Sequence, residues 1–253
     1  MASRDRNRVV MVTGGSRGIG AASARLAAKA GWAVCVNYTR DAAAAQQVAG
    51  DIVRLGGRAI AVKADVSVEA DVVRLFEACD RDLGPVTALV NSAGVVAPAA
   101  RVDQMDAERI MRLLRINVLG SFLAAREAIR RMSTRHGGRG GVIVNISSAA
   151  ARLGSPSEYV DYAASKGAID TMTIGLAREV AEEGIRVVGI RPGLIDTEIH
   201  ESQGAVGRLE RLAPMIPVKR AGSADEVAQA AVWLMGDEAS YVTGTILDVA
   251  GGR

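Results

Sequence analysis

The chain has 253 residues, 49% of them hydrophobic and only 3% aromatic, with 31 basic residues set against 28 acidic ones for a net charge of +3. Such a chain can bury a full core, but its charges are interspersed and its aromatic surface is too scarce to stack on bases, so a nucleic-acid partner is not expected. No stretch approaches about 18 uninterrupted apolar residues, so no membrane span is expected either.

The opening segment MASRDRNRVVMV is charged and has no apolar run of signal-peptide length before the first strand. The two cysteines, Cys35 and Cys79, sit in apolar contexts outside any CxxC pattern. Both features fit buried free thiols in a reducing cytoplasm. Short β-rich apolar runs then alternate with Ala-rich helical stretches. Strands are predicted near 8–13, 33–37, 59–63, 87–91, 141–146, 185–190 and 245–249, and helices near 18–30, 41–55, 68–83, 106–135, 160–183 and 224–236. Each strand is a near-continuous apolar run, as strands buried on both faces require. With right-handed crossovers this alternation predicts an α/β fold, a single doubly wound parallel seven-stranded sheet with helices on both faces, over 1–253 as one domain.

Arg130, Arg131, Arg135 and Arg139 read as the solvated end of a helix, favoured by its macrodipole. His136 and His200 are far apart, with no thiol or paired carboxylate at ligand spacing, so no metal is expected. Residues 194–222 form a long connection, and in that position a substrate lid is the expected reading.

The first strand runs into Thr13-Gly14-Gly15-Ser16-Arg17-Gly18-Ile19-Gly20 and then a helix. Glycines allow a tight turn in which backbone N–H groups approach a pyrophosphate, and the helix N-terminus favours its charge. The second strand of a dinucleotide-binding fold usually ends in an acid that holds the adenosine ribose. Here it ends Val36-Asn37-Tyr38-Thr39-Arg40. Arg17 and Arg40 are placed to grip a 2′-phosphate, which guanidinium matches bidentately, so NADP(H) is favoured while NAD(H) stays possible. Asp41, one position further on, is expected to belong to the next helix. Tyr162 and Lys166 are four apart in a helical stretch and share one face. A phenol near pKa 10 needs a neighbouring cation to act at neutral pH.

The spacing TGxxxGxG resembles the short-chain dehydrogenase/reductase family, and the resemblance runs to the end of the chain. Asp65 follows the third strand, Asn91-Ser92-Ala93-Gly94 the fourth, Asn117 lies in a long helix, Ser148 follows the fifth strand, then come Tyr162-xxx-Lys166 and Pro192-Gly193. The branch is similar to glucose 1-dehydrogenases and 3-oxoacyl-acyl-carrier-protein reductases. Membership implies the Rossmann fold, a small carbonyl or secondary alcohol as substrate, and a homotetramer built through helices near 106–135 and 160–183 and the last strand. The small residues Ala163, Ala164, Gly167 and Ala168 suit close helix approach in such a tetramer or internal packing. The resemblance further implies adenine contacts from Asp65 and Val66, and ribose and pyrophosphate contacts from Asn91, Ala93 and Gly94. Pro192, Gly193, Ile195 and Thr197 would support the nicotinamide. In the implied mechanism Tyr162 exchanges the proton, Ser148 orients the substrate oxygen, Lys166 holds the nicotinamide ribose, and Asn117 kinks its helix and joins a proton relay. Two departures stand out: NSAG replaces the commoner NNAG, and the Ser148-to-Tyr162 interval is one residue longer than in many members. Ser147 competes with Ser148, but the interval to Gly154 favours Ser148. Substrate choice is expected from Val95, Val96, Pro156, Tyr159, Leu194, His200 and Met215. The alternatives are a 3-oxoacyl-acyl-carrier-protein reductase, for which Arg101 and Arg152 would contribute a basic patch, and a non-catalytic dinucleotide-binding regulator.

Overall fold

A computed structural model describes residues 8–197 and 207–253. Seven parallel strands form its sheet: β1 (Val9–Thr13), β2 (Ala33–Tyr38), β3 (Ala59–Lys63), β4 (Ala88–Asn91), β5 (Gly141–Ile146), β6 (Ile185–Pro192) and β9 (Ile246–Val249). Their order is β3-β2-β1-β4-β5-β6-β9. The chain winds outward from β1 in one direction, then returns to β4 and winds in the other. The strand ends therefore splay apart between β1 and β4, where open α/β sheets bind ligands. A short pair, β7 (Ile195–Asp196) and β8 (Gly222–Ser223), lies beyond β6.

Alternate residues of the strands enter two cores. Val9, Met11, Cys35, Leu89, Ile143 and Val187 face one side, against α3 (Glu69–Asp82), α5 (Gly120–Met132) and α7 (Val160–Glu179). Val10, Val12, Val34, Val90, Val144 and Val188 face the other, against α1 (Gly18–Lys29), α2 (Ala42–Arg54) and α9 (Ala224–Met235). This is why the inner strands read as unbroken apolar runs. Both cysteines are buried free thiols in the first core.

Side chains set several helix starts. Asp41 accepts from the N–H of Ala44 at 2.9 Å to open α2, Asp106 accepts from Arg109 at 2.7 Å to open α4 (Ala107–Leu114), and Ser223 with Glu226 closes a capping box on α9. α1 has no side-chain cap among the described residues, so its first N–H groups are left for whatever occupies the cleft.

The predicted helix over 106–135 is interrupted. After α4 the chain makes a π-helical turn over Arg115–Leu119, closed by Gly120 N–H on the Arg115 carbonyl, before α5 begins. The helix over 160–183 likewise ends at Glu179 and finishes in a 3₁₀ turn over Ala181–Glu183. Among the described residues there are also two short α-helices, α6 (Ala150–Leu153) and α8 (Arg208–Leu212). The arginines near 130 make ion pairs: Arg130 and Arg131 hold the buried Glu127, Arg131 also holds Asp80, and Arg135 holds Glu183. No described helix is long and apolar enough to cross a membrane.

Leu89 is fully buried at the sheet centre. Leu89→Ala is expected to lower the unfolding free energy by about 2–5 kcal/mol, as a cavity that the surrounding strands cannot collapse into. Urea denaturation reads this directly, and a loss below 1 kcal/mol would contradict the packing described.

Candidate active site

A cleft of about 1090 Å³ opens over the carboxyl ends of the strands. The glycine-rich turn forms its floor at one end. Gly14 has φ +62°, and a Cβ there would come within 2.8 Å of the Ala93 backbone; a Cβ on Gly20 would meet the Gly14 carbonyl at 2.3 Å. The turn therefore closes on itself and on the β4 loop only because those side chains are absent. Ser16, Arg17, Gly18, Ile19, Ala93 and Gly94 also face this part of the cleft.

Buried polar groups hold the turn in place. Thr13 Oγ1 accepts from the N–H groups of Ser92 and Ala93 at 3.0 and 3.1 Å and donates to Asn91 Oδ1 at 3.2 Å. Asn37 Oδ1 accepts from Gly14 N–H at 3.2 Å, and its amide donates to the Ala64 carbonyl at 3.0 Å. Asn91 donates to the Ser121 carbonyl and to Asn145 Oδ1. Asn37 and Asn91, expected to touch the cofactor, thus lie beneath the cleft lining with their amides spent on the fold. Thr13, not assigned a role from the sequence, is the fastening between the first and fourth strand ends.

Tyr38, Thr39, Arg40, Asp65 and Val66 line the cleft at its outer end. Arg17 and Arg40 are both exposed there. The carboxylate of Asp41 also borders the cleft, but it is committed to capping α2. Asp65 Oδ1 accepts from Ser67 N–H and Oγ at 2.9 and 2.7 Å.

At the other end, α7 brings Tyr162 and Lys166 against the end of β5. Burial pushes the Tyr162 phenol up, and the neighbouring Ser148 hydroxyl opposes that push. Lys166 Nζ lies 5.7 Å from the Tyr162 ring centroid and donates to the Ile146 carbonyl at 2.8 Å. Burial brings the Lys166 ammonium down to about 8, against the opposing field of Asp170. Ser147, the competing serine, points away: its hydroxyl donates to Asp170 Oδ1 at 2.6 Å.

Asn117 lies in the π turn with no exposed surface. Its Oδ1 accepts from Val95 N–H at 2.8 Å, and its Nδ2 donates to the Val95 carbonyl at 2.9 Å and to Ser165 Oγ at 3.1 Å. Ser165 in turn donates to the Tyr162 carbonyl at 2.7 Å. The Asn117 side-chain amide is therefore fully used in holding the β4 loop to α7.

Pro192, Gly193, Ile195 and Thr197 line the cleft, as do Val95, Val96, Tyr159 and Leu194. Pro156 and Met215 are exposed and stand outside the described lining, and His200 lies outside the described residues. Met111, Arg112, Arg115 and Leu153 line the cleft without having been singled out. Nothing in the local pattern marks them: Met111 and Arg112 lie on α4, Arg115 opens the π turn and Leu153 ends α6.

Residues 14–253 match a family described as enoyl-(acyl carrier protein) reductase. The chain is 55% identical to YgfF, an oxidoreductase of Escherichia coli (strain K12), over 97% of this chain and 99% of that one. It belongs to the short-chain dehydrogenase/reductase family. It is also 38% identical to glucose 1-dehydrogenase 2 of Bacillus subtilis (strain 168), over 97% of this chain and 94% of that one. Among solved structures it resembles a 3-ketoacyl-(acyl-carrier-protein) reductase from Brucella melitensis complexed with NADH. That match has a TM-score of 0.89 and 35% identity, covering 97% of this chain and 98% of that one. The family is one of oxidoreductases, and the strand-end cleft lies where such a fold binds its ligands.

Proposed function

We propose that this protein interconverts a small carbonyl compound and its secondary alcohol with NADP(H) as the hydride carrier. The observation that carries the reading is that Ser148, Tyr162 and Lys166 come together in the same cleft as the glycine-rich turn. The cleft suits a dinucleotide on its own terms: an uncapped helix of twelve residues, a turn that Cβ atoms would fill, and two arginines at the outer end. Gly14, Ser16, Gly18, Ile19 and Gly20 would cradle the pyrophosphate, Asp65 and Val66 the adenine, and Pro192, Gly193, Ile195 and Thr197 the nicotinamide. When bound, the dinucleotide supplies or takes the hydride.

The chain's own residues manage the oxygen and its proton. Tyr162 donates its hydroxyl proton to the carbonyl oxygen in reduction and removes it in oxidation. Ser148 donates a hydrogen bond to that oxygen as charge develops on it. Lys166, as a cation, stabilises the phenolate that Tyr162 leaves behind. Asn117 acts through position, holding Tyr162 and the β4 loop in register. The wall of Val95, Val96, Leu153, Tyr159 and Leu194 favours an apolar body beside the reacting carbonyl.

Arg101 pairs with Asp103 and Arg152 with Asp248, so the basic patch that an acyl carrier protein would need is not assembled from these two. A regulator without catalysis would have no use for a paired serine and tyrosine beside a buried lysine. For assembly, a homotetramer is supported by Met111, Leu119, Phe122 and Ile174, which expose apolar surface on α4, the π turn, α5 and α7. Sedimentation as a monomer would remove that part of the proposal.

Fluorescence titration is expected to show NADPH binding at least about tenfold more tightly than NADH, or roughly 1.4 kcal/mol. Arg40→Ala should erase the gap; equal or tighter NADH binding in the unsubstituted protein would instead favour NAD(H). With NADPH and a panel of ketones and aldehydes, Tyr162→Phe is expected to lose about 10²- to 10⁴-fold in turnover while still binding the dinucleotide. Full turnover in that variant would remove Tyr162 from the proton step.

A further inference from the structure

Asp170 is a carboxylate to which the reaction described above gives no part. It follows Lys166 by four residues on α7, so the two side chains leave the same face of the helix. They grip consecutive residues where β5 ends. Lys166 Nζ holds the Ile146 carbonyl at 2.8 Å, and Asp170 Oδ1 accepts from the Ser147 hydroxyl at 2.6 Å. The next residue, Ser148, meets Tyr162. On its other oxygen Asp170 is clasped by Arg191 of β6, whose Nε and Nη2 both lie 2.9 Å away. Arg191 also approaches Asp248 of β9 at 3.7 Å. The side chains of Asp170 and Arg191 are 13% and 18% exposed, so solvent screens them poorly.

Tyr162 and Asp170 share the helix of Lys166. β5 and its end bring the Ile146 carbonyl and the Ser147 and Ser148 hydroxyls. The β4 loop brings the Gly94 backbone, and the π turn the neutral Asn117 amide. β6 brings Arg191, and β9 brings Asp248 behind it. Asp170 is the carboxylate among the described residues whose charge favours the ammonium. Arg191 is a cation that works against it.

We propose that Asp170 is a positioning residue for the reaction, anchoring the end of β5 through Ser147 and supplying the counter-charge that keeps Lys166 ionised beside Tyr162. Arg191 sets how much of that charge Lys166 receives. Burial alone disfavours the ammonium, and Lys166 stands at about 8 with Asp170 in place. The cation exists below its midpoint, so removing the Asp170 charge lowers the midpoint and empties the cation at a lower pH. In catalysis the alkaline limb of the rate profile moves down with it. That consequence rests on the proposed oxidoreduction, whereas the coupling between the two side chains does not.

The test is a lysine titration in the free, full-length protein. The chain has four lysines, and Lys29, Lys63 and Lys219 are exposed. With lysine labelled by carbon-13 at Cε, NMR follows each signal against pH, and Lys166→Met identifies the signal of Lys166. Asp170→Asn keeps an acceptor for Ser147 but removes the charge, and it should lower the Lys166 midpoint by roughly one unit. Arg191→Gln releases the carboxylate and should raise the midpoint. A midpoint unmoved or raised in Asp170→Asn overturns the proposal whatever Arg191→Gln does. A midpoint lowered by both substitutions reports general loosening and also overturns it. Should Asp170→Asn fail to fold, Arg191→Gln alone decides: a raised midpoint supports the proposal, and an unmoved or lowered one overturns it. Because no substrate enters this experiment, its failure is distinct from failure of the carbonyl assays.

Discussion

The side-chain amide of Asn117 has no exposed surface, and its three hydrogen bonds all leave its own element, two for Val95 after β4 and one for Ser165 on α7. A buried amide with any of these bonds missing would carry the full desolvation cost of the orphaned group, about 1–3 kcal/mol each. The three elements are therefore held to one arrangement. The π turn is what delivers the amide: one extra residue per turn rotates Asn117 inward between α4 and α5, and such bulges occur frequently at functional sites. Through Ser165 the clamp reaches the Tyr162 backbone, and through Val95 it reaches the loop that closes on Gly14.

The same logic runs under the whole cleft. Parallel strands end together, and their last residues lie too deep for water and too polar for the cores. Thr13, Asn37, Asn91 and Asn145 fill that layer with hydrogen bonds to one another and to neighbouring backbone. Above this rigid platform sit the residues that face the cleft: the start of α1, which no side chain caps, the Ser148 and Tyr162 hydroxyls, and Arg17 and Arg40. Preorganisation of this kind lets a site favour developing charge without first reorganising around it.

The strands and their order were legible because burial on both faces writes unbroken apolar runs, and the glycine turn was legible because its steric demand leaves no other residue. Tyr162, Lys166 and Ser148 could be named from spacing and resemblance, and all three meet at the end of β5. The division of labour between contact and support was not legible. The sequence does not say which way the side-chain amides of Asn37, Asn91 and Asn117 face, and only the packing turns them beneath the cleft. Asp170 escaped notice because its partners, Ser147 and Arg191, are distant in sequence and meet only through strand pairing. The interruption near Asn117 left no mark on the helical periodicity, since a single π turn adds one residue to an otherwise regular pattern, and only the family resemblance pointed to a kink there.

The central claim is that one buried amide couples the parts of the site, and hydrogen exchange followed by mass spectrometry on Asn117→Ala tests it most directly. The account predicts that protection falls together in 92–97, 115–121 and 160–168, while β2 keeps the protection it has in the unsubstituted protein. Loss confined to 115–121, or no loss at all, would contradict it.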